Sequence, residues 1–254
     1  MTEAPDFAGK VVIVTGGSQG VGLGISRAFL RRGAAVVSCA RSPFDSCPAA
    51  ETDDERARSM HVQADIRQDD HIDRVISETV DRFGRLDVLV NNAGGQPPAD
   101  IATASPRFVR AIVELNLTAP MIFAAKAYQV MATQDTGGSI INISSQASMP
   151  SSGGKMLVPY GAAKAGLNHM TRSLAVAWGE KVRVNCVSLG WVETEAMADL
   201  LLPENRDQWT TTLERIPVRR MGTPDEIGGI CTFLASDAAS YINGTTVWAD
   251  GGGT

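Results

Sequence analysis

The chain lacks an excess of positive charge: 23 lysines and arginines stand against 28 aspartates and glutamates, for a net charge of −5. Nucleic-acid binders normally carry a basic face, and so do proteins drawn to anionic membranes, so neither partner is expected. Cysteine is scarce as well. The four residues, Cys39, Cys47, Cys186 and Cys231, form no CxxC pair. A chain of 254 residues can bury a full-sized core without staples, so these read as reduced thiols and not disulfides. Three scattered histidines, His61, His71 and His169, cannot build a metal cluster without carboxylates, and no metal is expected. No run approaches the roughly 18 apolar residues of a membrane span. The acidic start, from Met1 to Asp6, lacks the basic flank and apolar stretch of a signal peptide. A soluble, cytoplasmic protein is the expectation.

Glycine, by contrast, is plentiful: 25 of 254 residues, against a usual share of roughly 7%. It weakens helices and strands unless the backbone needs it, so the excess requires a location. Length bounds the organisation too. Roughly 250 residues suit one α/β domain and leave little room for a separate substrate domain, so residues 1–254 are read as one domain.

Two periodicities alternate along the chain. Residues 10–15 (KVVIVT) are a short apolar, β-branched run, the mark of a strand buried on both faces. Residues 21–32 then carry Val21, Ile25, Ala28 and Phe29 at helical spacing. Residues 35–40, 61–64, 86–90, 139–143, 182–187 and 246–249 read as further strands. Residues 41–59 are polar and irregular, a loop with a short helix. Ile72, Val75, Ile76, Thr79, Val80 and Phe83 mark a helix closed by Gly84. Residues 105–135 and 162–178 are helical, and Ile227, Ile230, Cys231 and Leu234 mark a late helix. Strand–helix alternation implies right-handed βαβ units. The expected fold is α/β: a doubly wound, Rossmann-type parallel sheet of about seven strands with helices on both faces. Such sheets bind ligands beyond the carboxyl ends of their strands, where these glycines gather.

Three groups of residues carry chemistry. Thr15-Gly16-Gly17-Ser18-Gln19-Gly20-Val21-Gly22 joins the first strand to the first helix. Glycines there allow the backbone to approach a pyrophosphate while helix N-terminal amides face its charge. A glycine-rich turn without a ligand is the plain alternative. Tyr160 and Lys164, four apart on a helix, share one face. A phenol with an ordinary pKa near 10 is a poor base. A neighbouring ammonium lowers that value, and the pair can then exchange a proton with an alcohol or carbonyl oxygen. On its own such a pair is an ordinary surface contact. Pro120 has no N–H, so the carbonyl of Asn116 loses its helical donor.

In chain order, T-G-x-x-x-G-x-G at residues 15–22, Asp65-Ile66, Asn91-Asn92-Ala93-Gly94, Asn116, Ser145, Tyr160-x-x-x-Lys164, Asn185, Gly190, Thr194 and Asp250-Gly251-Gly252 match one pattern. The chain resembles the single-domain branch of the short-chain dehydrogenase/reductase family over essentially its whole length. Each element is weak alone, whereas the ordered set is specific. The resemblance implies hydride transfer between a nicotinamide and a carbonyl or secondary-alcohol carbon of a small molecule. It casts Tyr160 as the acid/base and Lys164 as the partner that lowers its pKa and binds the ribose. Ser145 would steady the substrate oxygen, with Ser144 a structural neighbour bonded to backbone. Asn116 would hold a water in a proton relay, a simple kink at Pro120 being the alternative.

By the same resemblance the cofactor contacts are Gly16, Ser18, Gln19, Gly20, Val21, Gly22, Arg41, Ser42, Asp65, Ile66, Asn92, Ala93, Gly94, Gly190, Val192 and Thr194, together with Tyr160 and Lys164. Asp65 would bond the adenine amino group and Ile66 lie against the ring. Ala40 stands where NAD-preferring members carry an acid, and Arg41 follows. A guanidinium pairs a 2′-phosphate bidentately, so NADP(H) is expected ahead of NAD(H). Gln19, where many NADP enzymes have a second base, weakens that reading. Leu189-Gly190 replaces the usual Pro-Gly, which predicts a looser turn, and the stretch from Ser145 to Tyr160 is longer than usual.

Gln96, Ser148, Met149, Met156, Leu157 and Trp191 are expected to shape a mostly apolar pocket, with Gln96, Trp191, Ser145 and Tyr160 against the substrate. Residues 193–222, with Met197, Leu200, Leu201, Leu202 and Trp209, read as an amphipathic lid or as plain core packing. Such a pocket suits a 3-oxoacyl thioester, a steroid or a cyclic ketone. An epimerase needs a larger C-terminal domain. Enoyl-thioester reductases on this fold alter the Tyr–Lys spacing, which is intact here. A non-catalytic dinucleotide-sensing protein has no need of Ser145, Tyr160 and Lys164 together. The family's habit is a homo-oligomer, tetramer or dimer.

Overall fold

The computed structural model describes residues 7–150, 154–195, 197 and 206–253, the side chains of residues 206–209 excepted. Strands β1 (Val11–Thr15), β2 (Ala35–Ala40), β3 (Ser59–Gln63), β4 (Val88–Asn91), β5 (Gly138–Ser145), β6 (Val182–Leu189) and β7 (Thr246–Ala249) form one sheet in the order β3-β2-β1-β4-β5-β6-β7. Every pairing is parallel. The order reverses between β1 and β4, and a doubly wound sheet opens its ligand crevice beyond the carboxyl ends at that point.

Helices α1 (Gly20–Leu30), α2 (Asp53–Ala57), α3 (Asp69–Phe83), α4 (Pro106–Val113), α5 (Ala119–Met131), α6 (Val158–Trp178), α7 (Arg206–Arg215) and α8 (Pro224–Ala235) connect the strands. The run that announced β1 has its reason in the two layers. Val12 and Val14 pack with Ile25 and Phe29 of α1 and with Ile227, Cys231 and Leu234 of α8. Ile13 packs on the other face with Ile72 and Val75 of α3 and Phe123 of α5. Side chains still alternate, but both sides are covered, so no polar position interrupts the run. All four cysteines are buried and free.

Three boundaries differ from the sequence reading in ways that matter for the site. Strands β5 and β6 run on to Ser145 and Leu189 because they remain paired to their last residues. Helix α6 begins at Val158, with Pro159 in its first turn, so Tyr160 is already helical. Between α4 and α5 lies a π-helical turn, Glu114–Thr118, in which the N–H of Ala119 bonds Glu114 O, five residues back. Such turns are rare and tend to mark functional positions. The whole stretch Pro106–Met131 is one 26-residue helix, long and apolar enough by length and composition to cross a membrane. That corrects the expectation that nothing in the chain approaches a span. Phe123, Ala124, Ala127 and Met131 are fully buried against the sheet, which accounts for the helix's apolar character.

Candidate active site

A cleft of about 910 Å³ opens at the carboxyl ends of the strands. Every residue read as a cofactor contact borders it, as do Ser145 and Trp191. Asn116 and Gln96 do not.

At one end, the chain leaving β1 turns sharply into α1. Gly16 (φ +65°) and Gly20 (φ +52°) adopt left-handed backbone that disfavours any side chain, and a Cβ at Gly22 would run into the Gly16 carbonyl. The buried Thr15 hydroxyl fastens this turn to the next one, accepting from the N–H groups of Asn92 and Ala93 at 2.9 Å each. The N–H of Gly20, at the start of α1, donates to Glu195 Oε2 at 3.2 Å. This helix end thus already binds an anionic oxygen, as the unpaired amides of a first turn do. Cradle and charge both fit a dinucleotide pyrophosphate.

Arg41 and Ser42 are exposed at the rim beyond β2. Asp65 is not free: Arg67 Nε lies 2.9 and 3.2 Å from its two oxygens, and Arg67 Nη2 lies 2.5 Å from one of them. Hydrogen bonds from Arg67 hold the Asp65 carboxyl below the usual range, against an opposing push from burial. The Arg67–Asp65 pairing, like the bond from the Gly20 N–H to Glu195, was indicated by no motif.

Ser145, Tyr160 and Lys164 meet at the other end. Ser145 closes β5, and its Oγ accepts from the N–H of Ala147 at 3.2 Å. Ser144, beside it, bonds the backbone of α6 at Lys164 O, as expected of a structural neighbour. Lys164 is buried and donates from Nζ to Ile143 O at 2.8 Å. Burial pushes its amine down to about 8. Nζ sits 5.6 Å from the centre of the Tyr160 ring. The expected lowering of the phenol's pKa is overturned in this structure. Burial raises Tyr160 above its ordinary value, and a hydrogen bond with Ser145 opposes this only in part.

Asn116 lies behind the cleft, fully buried in the π-turn. Its Oδ1 accepts from Gly95 N at 2.9 Å, and its Nδ2 donates to Gly95 O and Ile112 O. A Cβ added at Gly94 would stand 2.7 Å from Asn116 Oδ1 and 3.1 Å from Lys164 Nζ, so the loop, Asn116 and Lys164 are in close register. Gln96, read as a substrate contact, has both ends of its amide committed to main chain: Oε1 accepts from Tyr160 N at 3.0 Å and Nε2 donates to Met156 O at 2.8 Å.

Leu189 departs from the expected looseness. It is paired with Ser145 on one side and Ala249 on the other, and Gly190 N bonds Ala249 O at 3.0 Å. Leu189 thus stays in the ladder between β5 and β7 as the last residue of β6. The two ends of residues 193–222 are stapled together, Glu193 N to Gly222 O at 2.9 Å and Gly222 N to Trp191 O at 3.0 Å. Leu200, Leu201 and Leu202 lie outside the described residues, as do Ser151, Ser152 and Gly153 in the longer loop and the side chain of Trp209.

A glycine cradle for a pyrophosphate, facing a tyrosine backed by a buried lysine across one cleft, defines a dinucleotide-dependent oxidoreductase. A family profile described as enoyl-(acyl carrier protein) reductase matches residues 16–254. L-fucose dehydrogenase of Oryctolagus cuniculus is 35% identical over 256 residues, which cover 99% of this chain and 87% of the relative. Cis-4-hydroxycyclohexanecarboxylate dehydrogenase of Sinomonas cyclohexanicum is 34% identical over 252 residues, 98% of each chain. A solved structure described as a short-chain alcohol dehydrogenase of Sinorhizobium meliloti matches with a TM-score of 0.88 at 35% identity, covering 99% of this chain and 98% of that one. The chain belongs to the short-chain dehydrogenase/reductase family and is an NAD(P)-dependent oxidoreductase of alcohol or carbonyl substrates.

Proposed function

We propose that the protein is an NADP(H)-preferring member that interconverts a secondary alcohol and a ketone on a small, largely apolar ring. The observation that carries the reading is the meeting of Ser145, Tyr160 and the buried Lys164 at the carboxyl end of β5. When bound, the nicotinamide supplies or takes the hydride at the substrate carbon. Tyr160 moves the accompanying proton at the substrate oxygen. Burial keeps its phenol protonated, which suits it to protonate a ketone. Ser145, bonded to Tyr160, holds the same oxygen and steadies the charge that develops there. Lys164 carries its proton below its value of about 8, so a positive charge stands behind Tyr160 to stabilise the phenolate. Lys164 would also bind the cofactor ribose. The irregular helix at Asn116, one turn before Pro120, supports a relay water on its carbonyl.

NADP(H) is favoured because Ala40 leaves the end of β2 without a carboxylate, and the exposed Arg41 follows it. Leu189, Trp191, Val192 and Met197 give the cleft apolar lining, whereas Ser148, Met149, Met156 and Leu157, expected to shape the pocket, do not border it. The two relatives' names, an L-fucose and a cis-4-hydroxycyclohexanecarboxylate dehydrogenase, each contain a small ring alcohol. The exposed apolar residues Val176, Phe233, Tyr241 and Trp248, on α6, α8 and the edge strand β7 with its approach, support a homo-oligomer, dimer or tetramer. Four free thiols suit the reducing cytoplasm, which we assign as its location.

The test is reduced-nicotinamide absorbance with NADPH and NADH against cyclohexanone, 4-oxocyclohexanecarboxylate and larger cyclic ketones. Turnover is expected, faster with NADPH, and Tyr160→Phe should lose ~10²–10⁴-fold in kcat while still binding NADPH. Binding without turnover on every ketone would refute the reading in favour of a dinucleotide sensor.

A further inference from the structure

We infer that Gln96 is a positioning residue that sets the catalytic tyrosine from outside its own helix. The first turn of any helix leaves amide donors without intrahelical acceptors. In α6 the N-cap is Leu157, which makes no side-chain cap, Pro159 has no N–H, and Gly161 N bonds back to Leu157 O at 2.8 Å. Val158, at the first helical position, is exposed to solvent, and the N–H of Tyr160, further in, needs a partner from elsewhere in the chain. Its acceptor is Gln96 Oε1, at 3.0 Å, brought from the loop after β4.

The other end of the same amide grips the segment that precedes the helix, with Nε2 donating to Met156 O at 2.8 Å. One planar group thus meets an N–H with its oxygen and a carbonyl with its nitrogen. Glutamine supplies both functions on one side chain, whereas glutamate or leucine cannot. The amide's orientation follows from its partners, since the flipped form would set donor against donor and acceptor against acceptor. The grip continues along the main chain. Ala99 N bonds Met156 O at 3.1 Å, Ile101 N bonds Lys155 O at 3.2 Å, and Lys155 pairs with Asp100 at 2.7 Å.

On its other side, Gln96 follows Gly95, whose N–H and C=O are both held by the Asn116 side chain. A bonded chain therefore runs from the π-turn through Gly95 and Gln96 to the backbone of Tyr160. The loop that borders the nicotinamide end of the cleft and the residue that moves the proton are mechanically one piece. A displacement of Tyr160 by a fraction of an ångström changes its distance to the reacting oxygen, a quantity to which rates respond steeply.

The inference rests on Tyr160 being the acid/base, and the experiment separates the two. Gln96→Leu removes both bonds, and Gln96→Glu keeps an acceptor for Tyr160 but has no donor for Met156. Hydrogen exchange of the Tyr160 amide in the cofactor-free protein should quicken by ~5–10-fold in Q96L and stay near wild type in Q96E. With NADPH and the best ketone, Q96L should lose ~10–100-fold in kcat, with KM within ~3-fold and a displaced pH profile of kcat. Q96E should recover part of that loss. Raised KM with unchanged kcat would overturn the inference and return Gln96 to the role of substrate contact. Unchanged Tyr160 exchange in Q96L would overturn it too. If the wild type turns over no ketone, the function reading fails, while the exchange experiment still decides whether Gln96 holds Tyr160. Should Q96L fail to fold, Q96E must show faster exchange at residues 154–156 with Tyr160 protected, and equal protection of both would refute the double grip.

Discussion

Lys164→Met replaces a buried ammonium with an uncharged side chain of similar length. Lys164 is 3% exposed, and burial takes its amine from 10.5 down to about 8. At pH 7 the group is protonated both folded and unfolded, so folding must bury the charge, at a cost of about 3 kcal/mol for a shift of about 2.5 units. Between pH 8 and 10.5 the unfolded chain keeps the proton and the folded chain has lost it. The unfolded state then binds more protons, so wild-type stability rises with pH across that window and the cost is gone above it. Methionine carries no such dependence. It does strand the Ile143 carbonyl that Lys164 now bonds at 2.8 Å, a loss of about 1–3 kcal/mol. The two effects nearly cancel at pH 7, so the slope is the sharper readout. Between pH 7 and pH 9 the wild type should gain about 1.3 kcal/mol on K164M. Urea unfolding of cofactor-free protein at both pH values, at one protein concentration, measures it. A stability difference that does not move with pH refutes burial as the cause of the depressed amine.

Arg41→Ala should weaken NADPH binding by ~10-fold and leave NADH within ~2-fold, the worth of one partly exposed charge-assisted contact; fluorescence titration with both cofactors reads the ratio, and an unchanged ratio removes Arg41 from cofactor choice. Glu195→Gln takes a competing anion off the Gly20 amide. NADPH should then bind up to ~5-fold tighter, an effect that shrinks at high salt, and weaker binding would show that the carboxylate supports the site instead of competing for it.

Much of this site was readable because its determinants are local. The strand, the glycine turn and the helix at residues 11–30 follow one another directly, so periodicity and backbone permissiveness locate the cradle without any distant contact. Tyr160 and Lys164 share a face because helical geometry puts them there. The apolar run of β1 announced a strand covered on both sides, and the ordered pattern located Ser145. The failures have a common cause. Arg67 on Asp65, Glu195 on the Gly20 amide and Gln96 on the Tyr160 amide each rest on a polar side chain carried by a loop, and loop geometry is set by what the loops pack against. The π-turn at Asn116 was half legible: Pro120 signalled a break, but a plain kink and a π-turn begin from the same missing N–H.

By itself, then, the sequence determined the order of elements, the two-faced sheet and the identity of the residues gathered at its carboxyl edge. Those properties depend on spacing along the chain. The tertiary structure alone decided the electrostatics. Spacing predicted that Lys164 would draw the Tyr160 phenol down, whereas burial raises the phenol and depresses the amine. A charge's stability is set by how much water the whole fold removes from around it, and no pair of residues four apart can encode that.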